Sequence, residues 1–438
     1  VGIPIHGKGR RRRSYADYQP PRRHQGPRSD PFRIVFYILL IGAALWVYLN
    51  PDVVRNVFAA QFPKGSPVAS TIGQPTATPT QSVDYAAQAK QSLDAGLLDD
   101  AIANYHKAGQ AEPNNVEYPF QEARLLIYRA ALEYGEQYDQ TIQDAEDAAN
   151  RAILADPSDA RGHAILGKIK DWSDHPEAGL SELQRAVELD PDLAIAHSYM
   201  AEVLIDLDRW EQAQTTIDKA MELDPNSVDV RRDNGYILES LGDYASAQTQ
   251  YEAALQLAPN LPNIKVALGR IYRVNGDFQS ALDQFSDVES LYPNNALIAY
   301  EIGRTYETYV GDPNSAAEAY EHSVELDENF VSPWLRLGML YYMQESYADS
   351  ASAFEKVMEL GVEDNVDVLY QLGLDYVNIG DCAKAIPMLT KARTLAENDD
   401  RILDAINNGF EACSEPTPTP RKTGGSNGSP APSPTPAK

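Results

Sequence analysis

Residues 264–276, IKVALGRIYRVNG, followed by residues 277–293, DFQSALDQFSDVESLYP, decide the fold. Each run places apolar residues three and four apart, the spacing of one helical face, and Gly276-Asp277 interrupts the pattern between them. Two amphipathic helices joined by a tight turn follow. The closing Pro293 belongs to a series, because Pro157, Pro191, Pro225, Pro259 and Pro293 stand 34 residues apart. Glycines (Gly167, Gly235, Gly269, Gly303) and alanines (Ala213, Ala247, Ala281; Ala186, Ala220, Ala254) keep the same period. A period of this length denotes an array of helix pairs, each burying its apolar face against its neighbours. Function is then to be sought on a concave surface rather than in a pocket.

Aligning the prolines and glycines outward gives nine repeats, beginning near Ser82, Val116, Ala160, Ala194, Val228, Pro262, Ala296, Val331 and Val366. The second carries ten extra residues, and the seventh and eighth carry one each, the former at Gly311-Asp312-Pro313. Residues 400–413, DRILDAINNGFEAC, form a last helical pattern with no partner helix after it. The chain therefore divides into a basic head (1–31), an apolar span (32–50), a linker (51–81), the array (82–399), the final helix (400–413) and a tail (414–438).

Charge separates these parts. Residues 1–33 hold nine basic groups against Asp17 and Asp30, a net +7, whereas the whole chain carries −27, so the rest holds −34. Residues 34–49, IVFYILLIGAALWVYL, contain no charge, and Phe32, Tyr37, Trp46 and Tyr48 place aromatic rings near both ends, which predicts one transmembrane helix. A cleaved signal peptide is the alternative, supported by Val57-Phe58-Ala59. With the arginines before the span and only Arg55 and Lys64 soon after it, the N-terminus is expected in the cytoplasm and the repeats outside the membrane. The segments PKGSPVASTIGQPTATPTQS (63–82) and EPTPTPRKTGGSNGSPAPSPTPAK (415–438) are too poor in large apolar residues to build a core. The acidic body repels nucleic acid, and topology explains the basic head, so no nucleic-acid partner is expected.

The pattern Trp334, Leu337-Gly338, Tyr341 and Phe354 in one repeat, with Leu268-Gly269, Tyr272, Ala281, Phe285 and Pro293 in another, resembles the tetratricopeptide repeat over roughly residues 82–413. The resemblance implies an all-α, right-handed superhelical solenoid of about nine helix pairs, preceded here by the membrane span. Its inner groove would be lined by each first helix, and it would bind extended or helical segments of other proteins. Departures are Ala89 in place of glycine in the first repeat, Gly179 in place of alanine in the third, and Glu328 and Val362 in place of the closing proline. Residues 400–413 resemble the capping helix that a terminal repeat needs. Cys382 starts the last second helix and Cys413 ends the cap, so antiparallel packing brings the thiols together and a disulfide suits an oxidising exterior; two unpaired buried thiols are the alternative.

The second, fifth, ninth and twelfth residues of each first helix share one face. In mid-array they are Arg232, Tyr236 and Glu239, then Asn263, Arg270 and Arg273, then Tyr300, Arg304 and Glu307. Four arginines and two tyrosines in an acidic body suggest a stripe for an acidic or C-terminal peptide segment. Alternatively, each arginine pairs with a Glu or Asp of a neighbouring repeat. Farther on, Leu335, Met339, Tyr342, Tyr370 and Leu374 make the same positions more apolar. His163 and His197 fall at equivalent packing positions and are too few for a metal site. No nucleophile with a base, no phosphate-cradling glycine loop and no cofactor motif is visible, so the expectation is a non-enzymatic, cofactor-free protein. The leading reading is a membrane-anchored, extracytoplasmic scaffold for protein segments of unspecified identity. The alternative is a cell-surface spacer acting through its Pro/Thr-rich tail, and a third reading places the array in the cytoplasm.

Overall fold

The computed structural model describes residues 79–396 and 399–414. The apolar span at 32–50, the basic head and the tail beyond Ser414 lie outside the described residues. Among the described residues no helix is long and apolar enough to cross a membrane. They contain nineteen α-helices and no strand, an all-α repeat solenoid. The chain divides into two bodies, one ending at Glu328 and the other beginning at Asn329.

The first body holds seven helix pairs. These are α1 (Pro79–Asp94) with α2 (Leu98–Ala111), α3 (Glu117–Ala130) with α4 (Gly135–Ala155), α5 (Ala160–Trp172) with α6 (Pro176–Leu189), and α7 (Ala194–Asp206) with α8 (Trp210–Leu223). There follow α9 (Val228–Ser240) with α10 (Tyr244–Leu257), α11 (Pro262–Asn275) with α12 (Phe278–Leu291), and α13 (Ala296–Thr305) with α14 (Pro313–Leu326). The second body holds α15 (Val331–Met343) with α16 (Tyr347–Glu359), α17 (Val366–Asn378) with α18 (Cys382–Leu395), and α19 (Asp400–Ser414). Helix α1 begins three residues before the expected boundary at Ser82.

Local chemistry explains the pattern. At the Gly276-Asp277 break, Gly276 takes a left-handed φ of 86°, and the Asp277 carboxylate accepts from Ser280 N to cap α12. The repeated glycine inside each first helix marks close helix approach, since a Cβ on Gly269 would lie 2.7 Å from Phe285 Cε1. Gly179 answers a tighter joint, because a Cβ there would sit 2.6 Å from the Gly167 carbonyl oxygen. Most of the insertion in the second repeat lengthens α4 to 21 residues, against 14 in α6. The extra residue of the seventh is taken up by a π-helical turn, Tyr306–Val310, ending at Gly311.

The first body also closes on itself, which the 34-residue period does not announce. Asn260 Nδ2 donates to the Asp94 carbonyl (2.7 Å), and Tyr292 Oη accepts from Leu98 N (3.0 Å) while donating to the Gly96 carbonyl (2.7 Å). Asn295 Nδ2 donates to the Leu132 carbonyl (2.9 Å), and Tyr134 Oη donates to Asp327 (2.8 Å). Leu98, Leu125 and Leu132 share one apolar core with Leu261, Ile264 and Ile298. The turn and loop of the first two repeats are thereby seated on the fifth to seventh.

In the second body, the Cys382 and Cys413 sulfurs lie 2.11 Å apart in a disulfide. It ties the end of α19 to the start of α18. Leu369, Leu389, Ile402 and Ile406 form the core beneath the cap, and Gly409 lets α19 approach Leu389 closely.

Candidate functional site

The inner-face positions of the first body hold two charge clusters, and neither is an open row of cations. In the first, Lys168 Nζ lies 2.9 Å from Glu202 Oε2 and 3.0 Å from Asp233 Oδ1, and stands 4.1 Å over the Tyr199 ring. Arg232 Nη1 reaches the same two carboxylates, at 2.9 and 2.7 Å. Trp172 Nε1 donates to Glu202 (3.1 Å), and Ser198 Oγ donates to Asp233 (2.6 Å). Burial pushes the Asp233 carboxyl above the usual carboxylate range in spite of Arg232 and Lys168. Beside this quartet, Arg124 Nε donates to Asp229 Oδ2 (2.7 Å) and Tyr128 Oη to Oδ1 (2.6 Å), both from α3 of the second repeat. Burial pushes Asp229 up, but the Arg124 charge, the Tyr128 hydrogen bond and the charges of Lys168 and Arg232 together outweigh it, and the carboxyl is held low.

The second cluster gathers three arginines on one acid. Glu301, fully buried on α13, receives Arg270 Nη2 at 2.6 Å and Arg273 Nη1 at 2.7 Å, with Arg304 Nη1 4.0 Å away. Burial pushes the Glu301 carboxyl up, and the charges of Arg270, Arg273 and Arg304 overcome it, drawing it down to about 2. Glu239 and Glu307, expected on the same stripe, instead accept the hydroxyls of Tyr251 (3.0 Å) and Tyr320 (2.6 Å).

The stripe read from spacing is therefore corrected in its exposure. Arg232 is 7% exposed, Arg273 4%, Asn263 8% and Tyr300 0%, because acidic residues on adjacent first helices draw the guanidinium groups inward and Tyr320 packs on Tyr300 at 5.6 Å. Arg270 and Arg304 stay partly exposed, with Arg304 over the Tyr300 ring, and Tyr236 Oη donates to Asp206 (3.1 Å). Tyr342 and Tyr370 belong to the second body, where Tyr342 meets Tyr347 edge-on and the Tyr370 hydroxyl accepts from Arg401 (3.3 Å). Lys168 and Glu202 were missed, yet they occupy the ninth position of α5 and α7, the column that supplies Tyr236, Arg270 and Arg304 in the next three repeats. Among the described residues no group of three or more His, Cys, Asp or Glu is arranged to hold a metal ion.

The first body has two clefts, one of them at the closure. One of about 360 Å³ lies among Arg129, Glu133, Tyr134, Tyr292, Asn295 and Asp327; the other, of about 530 Å³, lies among Phe120, Arg124, Arg161, Asp192, Ile195 and Asp229. Both have mixed polar and apolar walls.

Residues 173–232 and 238–306 match the sequence profile of the tetratricopeptide repeat. Over 67 residues the chain is 39% identical to the peroxisomal targeting signal receptor of Candida albicans, a stretch covering 15% of this chain and 11% of the receptor. Among solved structures, a chain of the APC/C hetero-tetramer Cut9-Hcn1 is similar with a TM-score of 0.55 at 14% identity, over 71% of this chain and 59% of that one. Yeast Tom70 is similar with a TM-score of 0.43 at 15% identity, over 76% of this chain and 89% of that one. The chain thus spans about a tenth of the curated relative's length and about three fifths of the Cut9-Hcn1 chain. The turn chemistry, the helix pairs and the matching profile agree: residues 173–232 and 238–306 carry tetratricopeptide repeats.

Proposed function

We propose that the chain is a protein-interaction scaffold, anchored in a membrane by residues 32–50 with its repeats on the extracytoplasmic side, that holds acidic segments of other proteins on the arginine-rich inner face. The observation that carries this reading is the arginine cluster on Glu301: Arg270, Arg273 and Arg304 gather on α11 and α13 within a chain whose net charge is −27. Arg270 and Arg304, the partly exposed members, are the residues that would meet a partner carboxylate, and Arg273 positions Glu301 beneath them. The likeness over 67 residues to a targeting signal receptor supports capture of a short segment. The apolar span and the charge difference across it support the anchor and its orientation.

The test is a fluorescence-anisotropy titration of the full chain in detergent with a labelled oligo-glutamate peptide. Affinity should fall at least about tenfold in Arg270→Ala/Arg304→Ala and weaken with salt. Equal binding by that variant sinks the site. Protease shaving of intact cells tests the topology separately, since protected repeats would place them in the cytoplasm.

A further inference from the structure

Two columns of the repeat break their rule at the same joint of the second body. The fourth residue of the second helices is Ala213, Ala247, Ala281 and Ala316 in four successive repeats, but Ser350 in α16. The tenth residue of the first helices is Ile169, Val203, Ile237, Ile271 and Leu340, all buried, in α5, α7, α9, α11 and α15, and Thr305 in α13, but an acid, Asp375, in α17. The two exceptions face each other. Ser350 Oγ lies 2.7 Å from Asp375 Oδ2 and 2.9 Å from the Gly338 carbonyl oxygen of α15.

A hydroxyl has one proton and can donate to only one of two acceptors. With Asp375 ionised, one of these contacts lacks a hydrogen bond, and the charge is met by at most one donor, since Oδ1 has no partner among the described residues. With Asp375 neutral, its O–H donates to Ser350 Oγ, Ser350 donates to the Gly338 carbonyl, and both contacts are made. Asp375 is fully buried, and among the described residues no cation acts on it. The titratable groups that feel its charge are Tyr342 on α15 and Tyr376 beside it on α17; α16 presents only the Ser350 hydroxyl. Both tyrosines are neutral acids and supply no counter-charge.

We propose that Asp375 is a proton-held joint: its carboxyl is neutral in the folded chain, and its ionisation loosens α16 from α17, making this joint the pH-sensitive element of the second body. Burial moves the group up to about 7, with Ser350 opposing only in part, so the titration falls near neutrality. For a raised acid, the stabilising contribution is complete below the ordinary carboxylate range and is lost as pH climbs toward 7.

Hydrogen exchange on the full chain, read in peptides from residues 347–378 and corrected for the intrinsic pH dependence of exchange, tests this. Opening of α16 and α17 should rise by about 30-fold between pH 5.5 and 8.5, the ratio for a carboxyl near 7 when folded and near 4 when open. Helices α9 and α10 in the same sample are the internal reference. Asp375→Asn, whose amide donates to Ser350 and cannot ionise, should be flat over this range. Asp375→Leu, which restores the residue type of the column, should also be flat and serves if the first variant folds poorly. Equal protection of the wild type at both pH values overturns the proposal, as does a pH response that either variant retains.

Discussion

Substituting Gly96 by alanine tests the closure of the first body. Gly96 has φ of 80°, and a Cβ built on it would lie 2.4 Å from the Asn260 carbonyl oxygen and 3.1 Å from Leu291 Cδ1. Gly276 occupies the same turn of the sixth repeat at φ of 86°, with nothing within 4 Å. Alanine costs about 1 to 2 kcal/mol at either glycine for the left-handed backbone alone. At Gly96 the clash must also push the turn off Asn260, and three hydrogen bonds go with it: Asn260 to Asp94, Leu98 to Tyr292, and Tyr292 to Gly96. At about 1 kcal/mol each, these raise the expected cost of Gly96→Ala to about 4 kcal/mol, against 1 to 2 for Gly276→Ala. Urea unfolding followed by circular dichroism measures both. In a Tyr292→Phe background, where two of the three bonds are already lost, the excess at Gly96 should shrink. Equal costs for the two glycines, or an excess unchanged by Tyr292→Phe, would refute the closure as a source of stability.

Lys168→Met leaves Glu202 and Asp233 buried with Arg232 alone, and should cost about 3 kcal/mol or more in denaturant unfolding; a loss under 1 kcal/mol would mean the quartet is not a tightly held unit. Cys382→Ser opens a loop of sequence separation 31 and should remove roughly 3 to 4 kcal/mol from the second body, leaving a variant indifferent to reductant. Glu301, drawn down to about 2, contributes stability that is present above the ordinary carboxylate range and lost as pH falls toward 2. Glu301→Gln should therefore be less stable than the wild type at pH 7 and converge with it near pH 2, and unfolding curves that stay parallel would contradict this.

The repeat boundaries were legible because turn chemistry is local. Seven of the nine first helices start at the residue read from proline and glycine spacing, Ala160 and Val366 among them, and the other two lie within three residues. The π-turn and the long α4 fall where the spacing shows surplus residues. The closure was not legible: Leu98 and Tyr292 are 194 residues apart, and no period links a turn to the tyrosine that binds it. The arginines were seen as a column, but their fate depended on a second column one helix away. Glu301 lies at the sixth position of α13, outside the four positions read as the inner face, and it is this acid that turns Arg270 and Arg273 inward. Asp375 was hidden in the same way, since one acid in an apolar column looks like an ordinary substitution until Ser350 is found opposite it.

A repeat array is ordinarily a line, in which each member feels only its two neighbours and a local disturbance fades with distance along the chain. The Asn260, Tyr292 and Asn295 bonds bend that line into a circuit in the first body. A disturbance in the first repeat then has two routes to the sixth, one through the four intervening repeats and one directly across the seam. Cooperativity in such a circuit is not set by neighbour interfaces alone. Residues as distant in sequence as Asp94 and Asn260 should show non-additive energies of the kind ordinarily confined to touching helices.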